Sequence, residues 1–404
     1  MSKRQLTIEP LERREMLSAS YGVTAPVGPQ PGVNAPAGAI VFMPRESASQ
    51  IESAVSHAGP DRTFYFDRGT YQNVSITPLA GDTFIGQQGA LLTSRTQAEA
   101  FMSSASNVTI DNLAFTGYVP QWPFSTIHAN LATGWTVENV DVSGSADRGV
   151  TLFDGGKLLN SYVHGNAVLG VKIDGLAGYA GEPEYLTTEG APVTIENDNI
   201  SGNNPHGAGN VEFEAGGIKL WSANNVSIVD CTISNNVGNG VWIDTCFAGD
   251  VVQGCLVQNN TSWGVENEIS NGTQITQNYI SGNGVLHSGD SWPLGGGIGV
   301  DDSANALVSE NTVLNDGNSI CTFNDTRTDD GFNWQLVGVV ISSNTVTMSA
   351  GHNGSYWSDP AGGTQTQVDW TANTYHVSGS AAFVWNNWQA IDLTLAQWQA
   401  VGND

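Results

Sequence analysis

Short runs in which apolar and polar residues alternate recur along most of the chain. A tripeptide of apolar residue, Ser/Thr or similar, then Gly/Asn starts at Phe115, Val142, Val163, Ile200, Ile233, Val257, Ile280 and Val313, with a variant at Val346. Successive starts are never closer than 21 residues and reach 37 apart, the mark of a coil of fixed minimum length that tolerates insertions. A second alternating run sits in each coil: GVTLF at 149–153, GVKID at 170–174, GIKLW at 217–221, GVWID at 240–244, GVENE at 264–268 and GIGVD at 297–301. Period-2 alternation predicts strands, each opened by Gly at a bend. Several short strands per coil, with no helical spacing between them, cannot build βαβ units. They predict an all-β chain: a parallel β-helix whose coils stack ~4.8 Å apart. The Leu-x-x-Leu-x-Leu signature of the competing leucine-rich solenoid is absent.

An open coil exposes sheet edges, so the ends need caps. Residues 47–58 (SASQIESAVSHA) predict a short N-terminal helix and 393–402 (LTLAQWQAVG) a C-terminal one anchored by Trp398. The expectation is one continuous right-handed parallel β-helix over about 70–350, within a folded domain spanning 40–404. Residues 21–39 are rich in Pro, Gly and Ala and read as a linker. Residues 1–20 hold Lys3, Arg4, Arg13 and Arg14 but lack the 7–15 apolar residues of a secretory signal. Their EPLERR and MLSA segments resemble the N-terminal sorting motif of secreted planctomycete proteins, which implies a secreted or cell-surface protein.

Composition narrows the function. The net charge is −26 and the pI about 4.3, which argues against nucleic acid and against anionic lipid. No apolar run approaches the ~20 residues of a membrane-spanning helix, so no membrane insertion is expected. A monomer is expected. Four cysteines do not make a disulfide scaffold. Two residues before each repeat's apolar anchor lies an inward position occupied by Asp198, Cys231, Cys255, Asn278, Asn311 and Asn344. It predicts an asparagine ladder in which Cys231 and Cys255 stack within disulfide range, bonded or as free thiols. Cys246 and Cys321 are expected to pack as small apolar side chains.

Candidate chemistry collects on the outward positions of the second strand. One column reads Thr151, Lys172, Lys219, Trp242, Glu266, Gly299, and the next Phe153, Asp174, Trp221, Asp244, Glu268, Asp301. Two of the four lysines in the chain share the first column. Asp244 and Glu268 fall on adjacent coils, where like charges would split their proton affinities into an acid and a base. Lys219 is placed to orient a hydroxyl. Trp221 and Trp242 offer flat faces for sugar rings, and the insertions at about 176–192, 202–216 and 284–296 are expected to wall the same groove. Paired carboxylates with aromatic platforms suit glycosidic-bond cleavage, although an ion-pair ladder that neutralises a stacked face would use the same residues.

The segments GNVEFEAGGIKLW (209–221), GNGVWIDT (238–245) and WGVENEIS (263–270) resemble a family of secreted bacterial right-handed β-helix proteins of the pectate-lyase-like superfamily. The resemblance implies a carbohydrate-active protein acting on a polysaccharide or oligosaccharide, and singles out Glu214, Lys219, Trp242, Asp244 and Glu268. Lys172, Asp174, Trp221, Glu266 and Asp301 join Trp242 as expected substrate-binding residues. The motifs of polygalacturonases and of alginate epimerases are missing. His128 reads as a loop residue, and no His pair has metal spacing. No cofactor is expected; calcium is left open at the oxygen-rich Asp325, Asp329 and Asp330. Two functions remain: a hydrolase or lyase using Asp244 and Glu268 with Lys219 and Glu214, or a non-catalytic glycan-binding or cell-surface module that needs the tryptophans but not the carboxylates.

Overall fold

The computed structural model describes residues 21–176, 190–288, 294–324, 327–329, 332–333, 335–357, 368–386 and 392–404. Three long parallel sheets of 13, 12 and 11 strands wind around one interior, with most coils supplying one strand to each sheet. The repeat anchors pair coil to coil in the second sheet, from Phe115 through Val142, Val163, Ile200, Ile233, Val257, Ile280 and Val313 to Val346. Their side chains point inward and are fully buried, because alternation sends every second residue to the same face. The coils extend beyond the expected 70–350 span, with strands from Ile40–Phe42 to Ala382–Asn386.

Helices lie near both ends. Ala48–Ala58 and Leu395–Ala400 each begin with a reciprocal capping box, Ser47 with Gln50 and Thr394 with Gln397. Ile51 and Val55 of the first helix are buried in the core. Trp398 of the second is fully buried against Trp370, Phe383 and Trp385.

The asparagine ladder runs as expected from Asn278 to Asn311 to Asn344, each side-chain amide donating to the next at 3.0 Å. Cys231 and Cys255 are free buried thiols, each donating to backbone carbonyls. Cys246 and Cys321 are buried and free as well. A second ladder, not foreseen from the sequence, passes through Asn166, Asn203, Asn236, Asn260, Asn283 and Asp316, with side-chain bonds of 2.8 to 3.0 Å. This ladder explains the glycines of the second alternating run. Gly264 and Gly297 sit at bends as expected, but Gly149, Gly170, Gly217 and Gly240 lie within strands: a Cβ on Gly240 would lie 2.8 Å from Asn260 Nδ2 and 2.5 Å from Gly264 O. Only a residue without a side chain lets the ladder press against the sheet.

Residues 21–39 do not hang free as a linker. They lie along the flank where the first and second sheets meet. Gly22 N donates to Gly254 O, Thr24 N to Asn197 Oδ1 at 2.6 Å, Gly28 N to Asn160 O and Gln30 N to Asn112 Oδ1. Asn112 and Asn197 adopt φ of 61° and 56°. Asparagine tolerates this left-handed corner, and its amide returns a bond to the strap, to Gln30 O and Ala25 O respectively.

Candidate active site

The third sheet carries both outward columns in the expected register. Lys172 pairs with Lys219, then Trp242, Glu266 and Gly299, while Asp174 pairs with Trp221, then Asp244, Glu268 and Asp301. His128 is no loop residue; it closes the strand Ser125–His128 and pairs with Thr151 at the head of the first column. The columns do not form an open solvent face. Lys172, Asp174, Lys219 and Trp242 are buried, because segments inserted between strands fold over them. Residues 211–214 cover part of the face, as expected for the 202–216 insertion, and His287 and Leu294 come from the expected 284–296 insertion. Of the third expected wall, 176–192, positions 177–189 lie outside the described residues.

Two cavities remain beneath this cover, and the strand Asn239–Asp244 separates them. The first encloses about 210 Å³ and is lined by Glu212, Asn239, Trp242, Trp263, Glu266, Glu268, His287, Leu294, Asp301 and Phe323, among others. The second encloses about 310 Å³ over Trp122, Pro123, Arg148, Lys172, Asp174, Phe213, Glu214, Lys219, Trp221 and Asp244. All ten residues proposed from the sequence therefore line one cavity or the other.

Asp244 and Glu268 are not an unpaired like-charged couple. Asp244 Oδ2 lies 2.9 Å from Lys219 Nζ. Glu268 accepts from Trp242 Nε1 at 2.8 Å and from Arg327 Nη1 at 2.7 Å. The carboxyl with raised proton affinity is Glu266, pushed up to about 8, first by burial and then by the neighbouring charge of Glu268. Asn239 Nδ2 donates to its Oε2, and Lys219 works in the same lowering direction. Asp301 is also raised well above the usual range, by burial and by Asp302, Glu268 and Glu266, against the opposing pull of Arg327.

Trp242 is not an open sugar platform. It is 7% exposed, and the Lys219 ammonium sits 3.6 Å from its ring centroid. Among the described residues, the exposed aromatic rings at this face are Trp122 at 64% and Phe213 at 58%. Sequence reasoning missed both because they arrive from insertions and not from the columns. It missed Arg327 for the same reason. This guanidinium contacts Glu268, Asp301 and Asp302 at 2.7, 3.1 and 2.8 Å. Glu214, from the 202–216 insertion, accepts from Trp122 Nε1 at 2.8 Å and lies 2.5 Å from Arg148 Nη2. Among the described residues no His, Cys, Asp or Glu cluster is suited to a metal ion. The side chains of Asp325, Asp329 and Asp330 lie outside the described residues.

Residues 125–313 and 216–391 match the model of the right handed beta helix region, well over half of the chain. The chain belongs to this family. No curated protein matches it. Among solved structures, this β-helix is similar to the A-module of mannuronan C-5 epimerase AlgE4 of Azotobacter vinelandii, at 14% identity and TM-score 0.54, covering 88% of this chain and 98% of that one. It is similar to the catalytic domain of a GH87 α-1,3-glucanase in complex with nigerose, at 13% and 0.57, covering 89% and 70%. A mannuronic acid specific polysaccharide family 6 lyase from human gut microbiota matches at 10% and 0.55, covering 83% and 82%. The right-handed β-helix thus shares its fold with polysaccharide-active enzymes of three different chemistries. At such identities the likeness establishes the fold alone.

Proposed function

We propose that the protein is an extracellular glycoside hydrolase, with Glu266 as proton donor and Glu268 as its ionised partner. The observation that carries this reading is the unequal environment of two carboxyls on one strand. Glu266 and Glu268 are two residues apart, hence on the same face and about 6.6 Å apart along the backbone. A proton affinity near 8 keeps Glu266 protonated at neutral pH, while Glu268 accepts hydrogen bonds from Arg327 and the Trp242 indole. Environments that separate two carboxyls in this way supply an acid and a base to one bond. Glu266 would protonate the leaving glycosidic oxygen, and Glu268 would take the proton of the attacking water and face the developing positive charge. Asp244 would serve with Lys219 as the wall between the cavities and not as the acid.

Hydrolysis is favoured over β-elimination by the state of the cations. A lyase acting on uronates needs a free cation for the sugar carboxylate, whereas Arg327 is committed to three carboxylates and Lys219 to Asp244. The extracellular placement rests on the sorting-like segment in residues 1–20. The test is turnover on a broad polysaccharide panel by the wild type and by Glu266→Gln. Hydrolysis with new reducing ends, lost in the variant, supports the reading. Elimination products or undiminished turnover would overturn it. Binding without any turnover would instead favour the non-catalytic surface module.

A further inference from the structure

The larger cavity is chemically unlike the one that holds Glu266. Its floor alternates three cations with three carboxylates. Lys172 Nζ lies 2.9 Å from Asp174 and 3.7 Å from Glu214, Arg148 Nη2 2.5 Å from Glu214, and Lys219 Nζ 2.9 Å from Asp244. Five of these six side chains are buried and Asp244 is half-buried. Buried charges persist only when paired. Lys172 and Glu214 each share two partners, and Arg148 also lies 3.8 Å from Asp147, so the cavity lining presents as many cations as carboxylates and polar contacts in both senses.

The rim is apolar and fixed. Trp122 is 64% and Phe213 58% exposed. Yet Glu214 holds the Trp122 indole at 2.8 Å, and the Lys219 ammonium donates to the Phe213 carbonyl at 2.6 Å. An exposed ring held through its own indole N–H, and another whose backbone is anchored, need little further ordering when a ligand arrives. Apolar area on a rim over a few convergent polar groups is also the usual form of a small-molecule site.

We propose that this cavity is a subsite for an uncharged sugar ring, and that the substrate is a neutral glycan lying along the stacked coils across both cavities. The proposal rests on the hydrolase reading of Glu266 and Glu268 for what happens at the other end. A pyranose has C–H faces that match Trp122 and Phe213. Its hydroxyls both donate and accept, matching an alternating floor. A uronate would need a cation that no carboxylate already holds, and it would enter a chain of net charge −26. An amino sugar would need an uncommitted carboxylate in the same place.

The experiment is calorimetric binding of the full chain to hexasaccharides: neutral gluco-, manno- and xylo-oligomers of several linkages, oligogalacturonate and oligomannuronate, and a glucosamine oligomer. Glu266→Gln serves as a non-cleaving binder and is followed in parallel for turnover. The expected result is binding to at least one neutral oligomer and to none of the charged ones. Trp122→Ala and Phe213→Ala should each weaken that binding at least tenfold, and Trp122→Phe, which keeps a ring, should recover most of it. Preference for a charged oligomer overturns the proposal. So does unchanged binding in both alanine variants, or no neutral ligand at millimolar concentration. Unchanged turnover in Glu266→Gln with ring-dependent neutral binding would sink the hydrolase reading while leaving the subsite standing.

Discussion

The buried amide ladders and the charged columns of the third sheet are both stacks of one side chain per coil. In the ladder through Asn203, Asn236, Asn260 and Asn283, each rung accepts from the rung before and donates to the rung after, so identical residues satisfy one another. In the columns no rung repeats its neighbour's chemistry for long. A lysine meets an indole, the indole a glutamate, and the glutamate a glycine. Repetition of a neutral group that both donates and accepts closes a structure. Repetition of carboxylates cannot, because each buried carboxyl adds its charge to the next, and Glu266 and Asp301 are both raised, first by burial and further by neighbouring carboxylates.

That contrast can be broken from either side. The largest effect is expected at the column: Glu266→Gln should lower turnover on a cleaved glycan by on the order of 10²–10³-fold and remove the basic limb of the pH–rate profile. Cleavage assays across pH check it. In the ladder, Asn260→Ala removes the acceptor of Asn236 N and Nδ2 and the donor to Asn283. It should destabilise the fold by about 3 kcal/mol at every pH, read from denaturant midpoints.

Asp316 is where the two regimes meet, since it ends an amide ladder with a carboxyl. Its Oδ1 accepts from Asn283 N and Nδ2 at 2.6 and 2.8 Å, and burial pushes the group up to about 7. Between the ordinary value of ~3.9 and about 7 the folded protein holds a proton that the unfolded chain has released, so stability falls as pH rises through that window. Asp316→Asn should therefore stabilise by about 1–2 kcal/mol at pH 8 and by nothing at pH 4, with melting curves as the check. Its new amide should donate to Ile280 O, as Asn283 does to Val257 O one coil earlier. The smallest effect is expected from Arg327→Gln, which removes the cation from Glu268. Turnover in the same cleavage assays should fall by about tenfold, because Glu268 and its neighbours lose the donor that fixes their geometry.

Much of this was legible in the residue pattern. A period of two fixes which side chains point out, and one strand per coil fixes which of them stack, so the order from Lys172 to Glu266 followed directly. The second ladder stayed hidden because Asn203, Asn236 and Asn260 sit among the Gly and Ser of turns, where asparagine is common for other reasons. Which face the insertions would wall was legible, but which of their side chains would meet the columns was not. Trp122, Phe213 and Arg327 belong to segments without periodicity, and nothing local says where such a side chain comes to rest. Asp244 and Glu268 do stack on adjacent coils as expected, but their polar partners stayed hidden for the same reason, since the inserted Arg327 engages Glu268.

The strap of residues 22–33 has a consequence for how the molecule comes apart. In a solenoid each coil touches only its neighbours, so unfolding can begin at an end and peel inward, one coil at a time. Here a single extended segment is bonded at Gly254, Asn197, Asn160 and Asn112 and, through Val33 O, to the Tyr65 hydroxyl. It reaches across eight successive strands of the first sheet. Loss of any coil beneath it releases anchors shared with the rest, so fraying from the N-terminal end carries a penalty set by distant coils. A stack that would otherwise melt like a zipper is tied into one block over that length.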